Sequence, residues 1–174
     1  MTTDTPPARA PEVIAPGSGQ HLHFLNHLAT VKVHPGTDGT LSVVEFAAER
    51  GFGPPLHRHD HEDELFVILA GELAFHRGDD RSTGGEGTIA YLPRGLAHTF
   101  QVLSSTARFV CVTACDAGPP RFADMVAALG APVATPTLPE PSYLDAAEVA
   151  EVCRAHGIEV LGPPPAPLEQ GARR

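Results

Sequence analysis

Tryptophan is absent from this chain of 174 residues, cysteine occurs only three times, and basic residues are fewer than acidic ones. The odd number of cysteines, with no Cys-x-x-Cys pair, argues against a zinc-finger site and against a disulfide framework. Twelve lysines and arginines stand against 21 aspartates and glutamates, which gives a net charge of −9. This charge argues against nucleic acid or an anionic membrane as a partner.

The first residues also lack a long apolar run. Residues 1–9 read Met-Thr-Thr-Asp-Thr-Pro-Pro-Ala-Arg, which predicts neither a signal peptide nor a transmembrane helix. We therefore expect a cytoplasmic protein whose cysteines, Cys111, Cys115 and Cys153, are free. Cys111 lies in a strand-like run and is expected to be a small buried hydrophobic residue.

The abundant residues favour an all-β chain. With 17 glycines and 18 prolines between short β-branched runs, the sequence predicts one antiparallel barrel. The length suits one domain with a sizeable core. Strands are expected over residues 21–33, 41–47, 65–69, 73–76, 88–92, 98–103 and 107–113.

Composition divides the chain into four segments. Residues 1–19 are expected to be a flexible arm, 20–116 the barrel, 117–162 a helical extension and 163–174 a loose tail. Within the extension, one helix is predicted over 121–129, ending at Gly130. A second begins with the capping-box-like sequence at Asp145 and ends at Gly157, after which a short strand can follow.

Two glycine-bounded motifs carry the functional prediction. The first spaces its residues as Gly-x5-His-x-His-x4-Glu-x6-Gly and contains His57, His59 and Glu64. The second, Gly-x5-Pro-x-Gly-x2-His, ends at His98. His57 and His59 face one side of a strand, whereas Glu64 has the opposite parity, so the chain must bend between His59 and Glu64. The joint pattern predicts a metal site.

His61 is an alternative to Glu64 as the fourth ligand, because it shares parity with the two preceding histidines. On a straight strand His57 and His61 would lie about 13 Å apart, whereas metal–nitrogen bonds are about 2 Å long. This geometry favours Glu64.

The two motifs, from Gly51 to His98, resemble the signature motifs of the cupin superfamily. The resemblance implies a jelly-roll (double-stranded β-helix) barrel, followed here by C-terminal helices, with His57, His59, Glu64 and His98 as metal ligands. Val102 replaces an asparagine that is usual in the second motif, which predicts a more apolar pocket floor. The helix and the sequence from His156 to Pro164 resemble bacterial single-domain cupins grouped with quercetin 2,3-dioxygenases. Small cupins also form dimers, so a homodimer is expected.

Strand alternation directs a set of apolar side chains toward the interior. These predicted pocket residues are Val44, Phe46, Phe66, Ile68, Phe100 and Val102. Such a lining suits an aromatic ligand better than a phosphosugar, because the nearby Arg58 and Arg94 are expected to face solvent.

Three imidazoles and one carboxylate leave up to two open positions on an octahedral ion. The resemblance to quercetin 2,3-dioxygenases implies a dioxygenase, with dioxygen as co-substrate and Glu64 as the catalytic base. Iron, nickel, manganese or cobalt is the expected metal, and copper and zinc are also compatible. Alternatives are a non-oxidative isomerase or cyclase, or a non-catalytic metal-binding or ligand-binding cupin.

Overall fold

Two antiparallel sheets and two short helices make up the computed structural model, which describes residues 12–142 and 145–167. Most of the predicted arm (1–11) and much of the predicted tail (168–174) therefore lie outside the described residues. The strands are β1 Gln20–Phe24, β2 His27–Val33, β3 Leu41–Glu49, β4 Leu56–His59, β5 Asp63–Ala70, β6 Leu73–Arg77, β7 Asp80–Gly84, β8 Ile89–Leu92, β9 His98–Val102, β10 Thr106–Ala114, β11 Ala131–Pro132 and β12 Ile158–Gly162; the helices are α1 Phe122–Leu129 and α2 Ala146–Ala155.

The sheets face each other as in a jelly roll. The seven-stranded sheet has the order β11-β1-β2-β3-β10-β5-β8, and the five-stranded sheet has the order β12-β4-β9-β6-β7. Their inner faces carry a core of phenylalanine and aliphatic side chains, with Phe109 fully buried at its centre. Burying one such side chain contributes about 1.5–3 kcal/mol. The all-β prediction with C-terminal helices is confirmed, although the two sheets pack as a sandwich rather than closing into one continuous barrel.

The prediction of a single strand over residues 21–33 is wrong. The chain reverses at Leu25 and Asn26, whose φ angles are +47° and +65°, and β1 pairs with β2 as a hairpin. Two consecutive residues with positive φ are typical of a type I′ turn, which asparagine tolerates. The Asn26 side chain also exchanges hydrogen bonds with the backbone of Ser142, and this contact holds the turn in place.

The segment after the barrel packs against it. Asp145 caps α2 by accepting hydrogen bonds from the backbone amides of Ala147 and Glu148, at the predicted start of that helix. β12 then pairs with β4, the strand that carries His57 and His59. Part of the predicted loose tail is held in place, since the Gln101 side chain donates a hydrogen bond to the Ala166 carbonyl.

Within the described part of the chain, no helix has the length and apolar character needed to cross a membrane.

Candidate metal centre

Four side chains from the two motifs meet between the sheets. His57 and His59 lie on β4, Glu64 on β5 and His98 on β9, and one potential ligand atom from each lies within 4.8 Å of the others. His57 and His98 are directly opposite each other on neighbouring strands. Glu64 belongs to the other sheet, so the bend expected between His59 and Glu64 is the point where the chain crosses from one sheet to the other.

Local contacts hold the two motifs in register. Gly95, with φ +80°, occupies the turn before β9 and donates a hydrogen bond from its backbone amide to the His59 carbonyl. Asp63, next to Glu64, accepts hydrogen bonds from both the backbone and the guanidinium of Arg94 in the same turn. Arg94 and Arg58 are thus paired with carboxylates and are not directed at the centre of the site.

The tautomers of two histidines are set by backbone carbonyls. Nδ1–H of His57 donates to the Pro55 carbonyl at 2.8 Å, and Nδ1–H of His98 donates to the Leu96 carbonyl at 2.9 Å. In His57 this leaves the lone pair on Nε2. In His98, Nε2 donates a hydrogen bond to Oε2 of Glu64 at 2.9 Å, and a cation would take the place of the proton between them. Backbone carbonyls commonly orient metal-binding imidazoles in this way.

His59 gives the clearest sign that the group is built for a cation. Its side chain is 1% exposed, yet neither ring nitrogen has a hydrogen-bond partner among the described residues. The Nε2 atom lies 3.7 Å from a Glu64 oxygen, which is too far for a hydrogen bond. Unpaired polar atoms in a protein interior are rare and costly. A metal bound between Glu64 and the imidazoles would satisfy Nε2 of His59, while Nδ1 faces a Glu62 oxygen at 3.6 Å.

The pKa values of His57 and Glu64 suit metal binding; for His59, burial lowers the pKa, but the carboxylates of Glu64 and Glu62 outweigh burial and raise it. Burial lowers the pKa of His57 to about 3, and the nearby His98 and His59 add to the effect. Burial alone would raise the pKa of Glu64, but the imidazoles of His59, His98 and His57 outweigh it and hold that pKa below its usual range. A neutral imidazole and an ionised carboxylate are the forms that bind metals.

Two buried residues that the sequence analysis did not assign to the site support it. Glu62 is 5% exposed; one of its oxygens lies 3.6 Å from His59 Nδ1, and the other accepts a hydrogen bond from the Arg121 amide, immediately before α1. Cys111 on β10 lies with its Sγ 3.0 Å from Glu64 Oε1 and donates to it. Cys111 is therefore buried, as expected, and in addition donates a hydrogen bond within the site. His61, the alternative ligand, is exposed and does not belong to the group.

A cavity lies beside the four-residue group and is bordered by His57 and Glu64. Three of the predicted pocket residues, Phe46, Phe66 and Phe100, line it. The other three, Val44, Ile68 and Val102, are fully buried and face inward, but they are not among its lining residues. Their side chains point to the interior, as strand alternation predicted, but they pack in the core between the sheets and not along the cavity.

Segments outside the motifs supply most of the cavity wall. The β1–β2 hairpin contributes Phe24, Leu25 and His27, and the C-terminal extension contributes Val149, Cys153, Ile158 and Val160. The cavity has a volume of about 60 Å³ and adjoins an outer groove of about 580 Å³. The two spaces share Leu25, Phe52, Pro54, Pro55, Val149 and Val160. An apolar ligand can thus extend from the groove toward the four-residue group.

Comparison with known proteins agrees with this architecture. Residues 42–113 match the cupin domain family. Over 113 residues the chain is 27% identical to quercetin 2,3-dioxygenase of Bacillus subtilis strain 168, an alignment that covers 64% of this chain and 34% of that protein. The chain thus spans about one third of that relative. Among solved structures, the cupin domain of Schizosaccharomyces pombe Cnp3 superposes with a TM-score of 0.52 at 14% identity, covering 59% of this chain and 72% of that one.

Proposed function

We propose that this chain, whose residues 42–113 match the cupin domain family, binds a metal and is a metal-dependent dioxygenase acting on a hydroxylated aromatic small molecule. One observation carries the proposal: His57, His59, Glu64 and His98 converge beside a phenylalanine-lined cavity. These four residues would hold one divalent transition metal. When bound, the metal supplies Lewis acidity and, if it is redox-active, reactivity toward dioxygen.

The residues that line the cavity support an aromatic substrate. Phe46, Phe66 and Phe100 present ring faces and edges to a ligand, and no lysine or arginine lines the cavity among the described residues. Aromatic side chains bind a planar ring through offset or edge-to-face contacts. The same wall excludes water from the reacting group and strengthens the electrostatic interactions inside it.

Glu64 is the proton acceptor in this proposal. Its pKa is held below the usual range by the surrounding imidazoles, so it is ionised and able to accept a proton. It is therefore suited to an enolic or phenolic hydroxyl rather than to an alkyl alcohol, whose proton is far less acidic. Cys111 donates to Oε1 of Glu64, which leaves Oε2 for the metal and the substrate. The similarity to a quercetin 2,3-dioxygenase supports a flavonol as the first substrate to test.

Oxygen uptake with a flavonol tests the proposal directly. Protein loaded in turn with iron, nickel, manganese or cobalt is mixed with quercetin, and dioxygen consumption and product mass are recorded. Flavone, which lacks the hydroxyl groups, serves as the matched control and should consume no oxygen. Conversion of the substrate without oxygen uptake would instead indicate a non-oxidative isomerase or cyclase. Absence of any conversion with all four metals would contradict an enzymatic role toward flavonols.

A further inference from the structure

The cavity contains one polar side chain that the four-residue group does not use. Besides His57 and Glu64, the only imidazole or charged group among the described residues lining the cavity is His27. It is the first residue of β2, directly after the turn at Leu25 and Asn26, and it is 3% exposed. It does not belong to the four-residue group.

Three aromatic rings hold the His27 imidazole in place. Its centroid lies 5.0 Å from that of Phe24, 5.0 Å from that of Phe46 and 4.1 Å from that of Phe52. The adjacent turn is fixed by the hydrogen bonds between Asn26 and Ser142. The ring therefore has little freedom to leave the cavity wall, and a ligand meets it in a preorganised position.

The backbone sets the His27 tautomer as it does for two of the metal-group histidines. His27 Nδ1 lies 3.2 Å from the Leu25 carbonyl, two residues before it, and donates to it. No other hydrogen bond of this side chain occurs within the described residues, so Nε2 carries an unused lone pair. Burial lowers the pKa of His27 to about 3, and the ring is neutral at pH 7. A neutral Nε2 of this kind is a hydrogen-bond acceptor only.

His27 Nε2 is not among the fully buried polar atoms without a partner, so it is accessible from the cavity that His27 lines. A ligand donor there would form a hydrogen bond that contributes about 0.5–1.5 kcal/mol net. We propose that Nε2 of His27 accepts a hydrogen bond from a ring hydroxyl of the bound ligand. The cavity then favours aromatic ligands that carry a hydroxyl directed at His27 and not at the four-residue group. This inference rests on the proposed function only for the aromatic nature of the ligand. It concerns binding and is independent of oxygen chemistry.

A pair of one-ring probes isolates the hydrogen bond. Binding of 4-methylphenol and of 4-methylanisole to zinc-loaded protein is measured by calorimetry, since the ether has nearly the same shape but no donor. We expect the phenol to bind about fivefold to tenfold more tightly than the ether. The preference should disappear in His27→Phe and persist in part in His27→Gln, which keeps an acceptor. His23→Phe, a change at a histidine that contacts Thr137 outside the cavity, should leave the preference intact.

Nitrogen NMR on the wild-type protein gives an independent test if a variant fails to fold. The resonance of His27 Nε2 should shift when 4-methylphenol is added and stay in place with 4-methylanisole. Equal or absent binding of the two probes to wild-type protein would overturn the proposal, as would a preference that survives in His27→Phe. Because no turnover is measured, failure of the dioxygenase proposal would leave these results unchanged.

Discussion

Replacing Glu64 by glutamine separates the two roles proposed for this residue, as metal ligand and as base. Glu64 is 2% exposed, and its Oε2 lies 2.9 Å from His98 Nε2 and 3.7 Å from His59 Nε2. Glutamine keeps the size and one ligand oxygen but removes the negative charge. Losing a hydrogen bond or contact to a charged group costs about 1.5–3 kcal/mol, which corresponds to about a 10-fold to 150-fold weaker metal affinity.

Turnover should fall further than metal content. A positioned general base contributes about 10²-fold to 10⁴-fold to the rate, and an amide oxygen cannot act as one. We therefore expect Glu64→Gln to fold, to retain much of its metal when the metal is supplied in excess, and to lose most activity toward the flavonol. Metal affinity is measured by competition with a chelator, and activity by oxygen uptake at saturating metal.

His61→Ala is the matched control, because His61 is exposed and lies outside the four-residue group. It should change metal affinity and activity little. The ligand assignment would be refuted if His61→Ala stripped the metal while Glu64→Gln left activity intact.

Three further changes test the surroundings of the site. Arg94 lowers the pKa of Asp63 to about 2 through its hydrogen bonds, so the stabilisation of the fold by this ion pair is present above about pH 4 and is lost as the pH falls toward 2. Asp63→Asn should therefore lower the free energy of unfolding at pH 7 by about 1 kcal/mol. Urea titrations should show that the difference in stability between wild type and variant shrinks at pH 2. Cys111→Ala removes the donor to Glu64 Oε1 and should weaken metal binding by about 10-fold, whereas Cys111→Ser should restore most of it; equal affinities in a chelator competition would contradict this role. We also propose a homodimer through the seven-stranded sheet, where Ile89 and Tyr91 on the edge strand β8 are 63% and 57% exposed; changing both to lysine should convert a dimer to a monomer in sedimentation experiments, and a monomeric wild type would exclude the interface.

Three of the four motif residues could be grouped without knowledge of distant strand pairing, whereas His98 was assigned through its motif and lies opposite His57 because β4 pairs with β9. Parity places His57 and His59 together, and the odd separation of Glu64 requires the bend that the structure shows as a crossing between sheets. The helix start at Asp145 was predictable for the same reason, since a cap is a local hydrogen bond. Local rules suffice where the partners are near in sequence.

Residues that reach the site from distant segments of the chain were not predicted. Cys111 contacts Glu64 only because β10 pairs with β5, in a register that aligns Cys111 with Phe66. Similarly, Ile158 reaches the cavity because β12 aligns it with His59 on β4. Parity alone also cannot say how far along a strand the cavity extends, which is why Val44 and Ile68 face inward without lining it. The hairpin turn at Asn26 lacks the Asn-Gly signal that marks most such turns.

In the proposed function, metal binding and ligand selection fall largely to different parts of the chain. The two motifs supply the four-residue group, but of these residues only His57 and Glu64 border the cavity. The rest of its wall includes His27 from the β1–β2 hairpin and Val149 and Val160 from the C-terminal extension. One metal-binding scaffold can host unrelated reactions when its surrounding segments change. The choice of substrate should therefore respond to changes in the hairpin and the extension that leave metal affinity untouched.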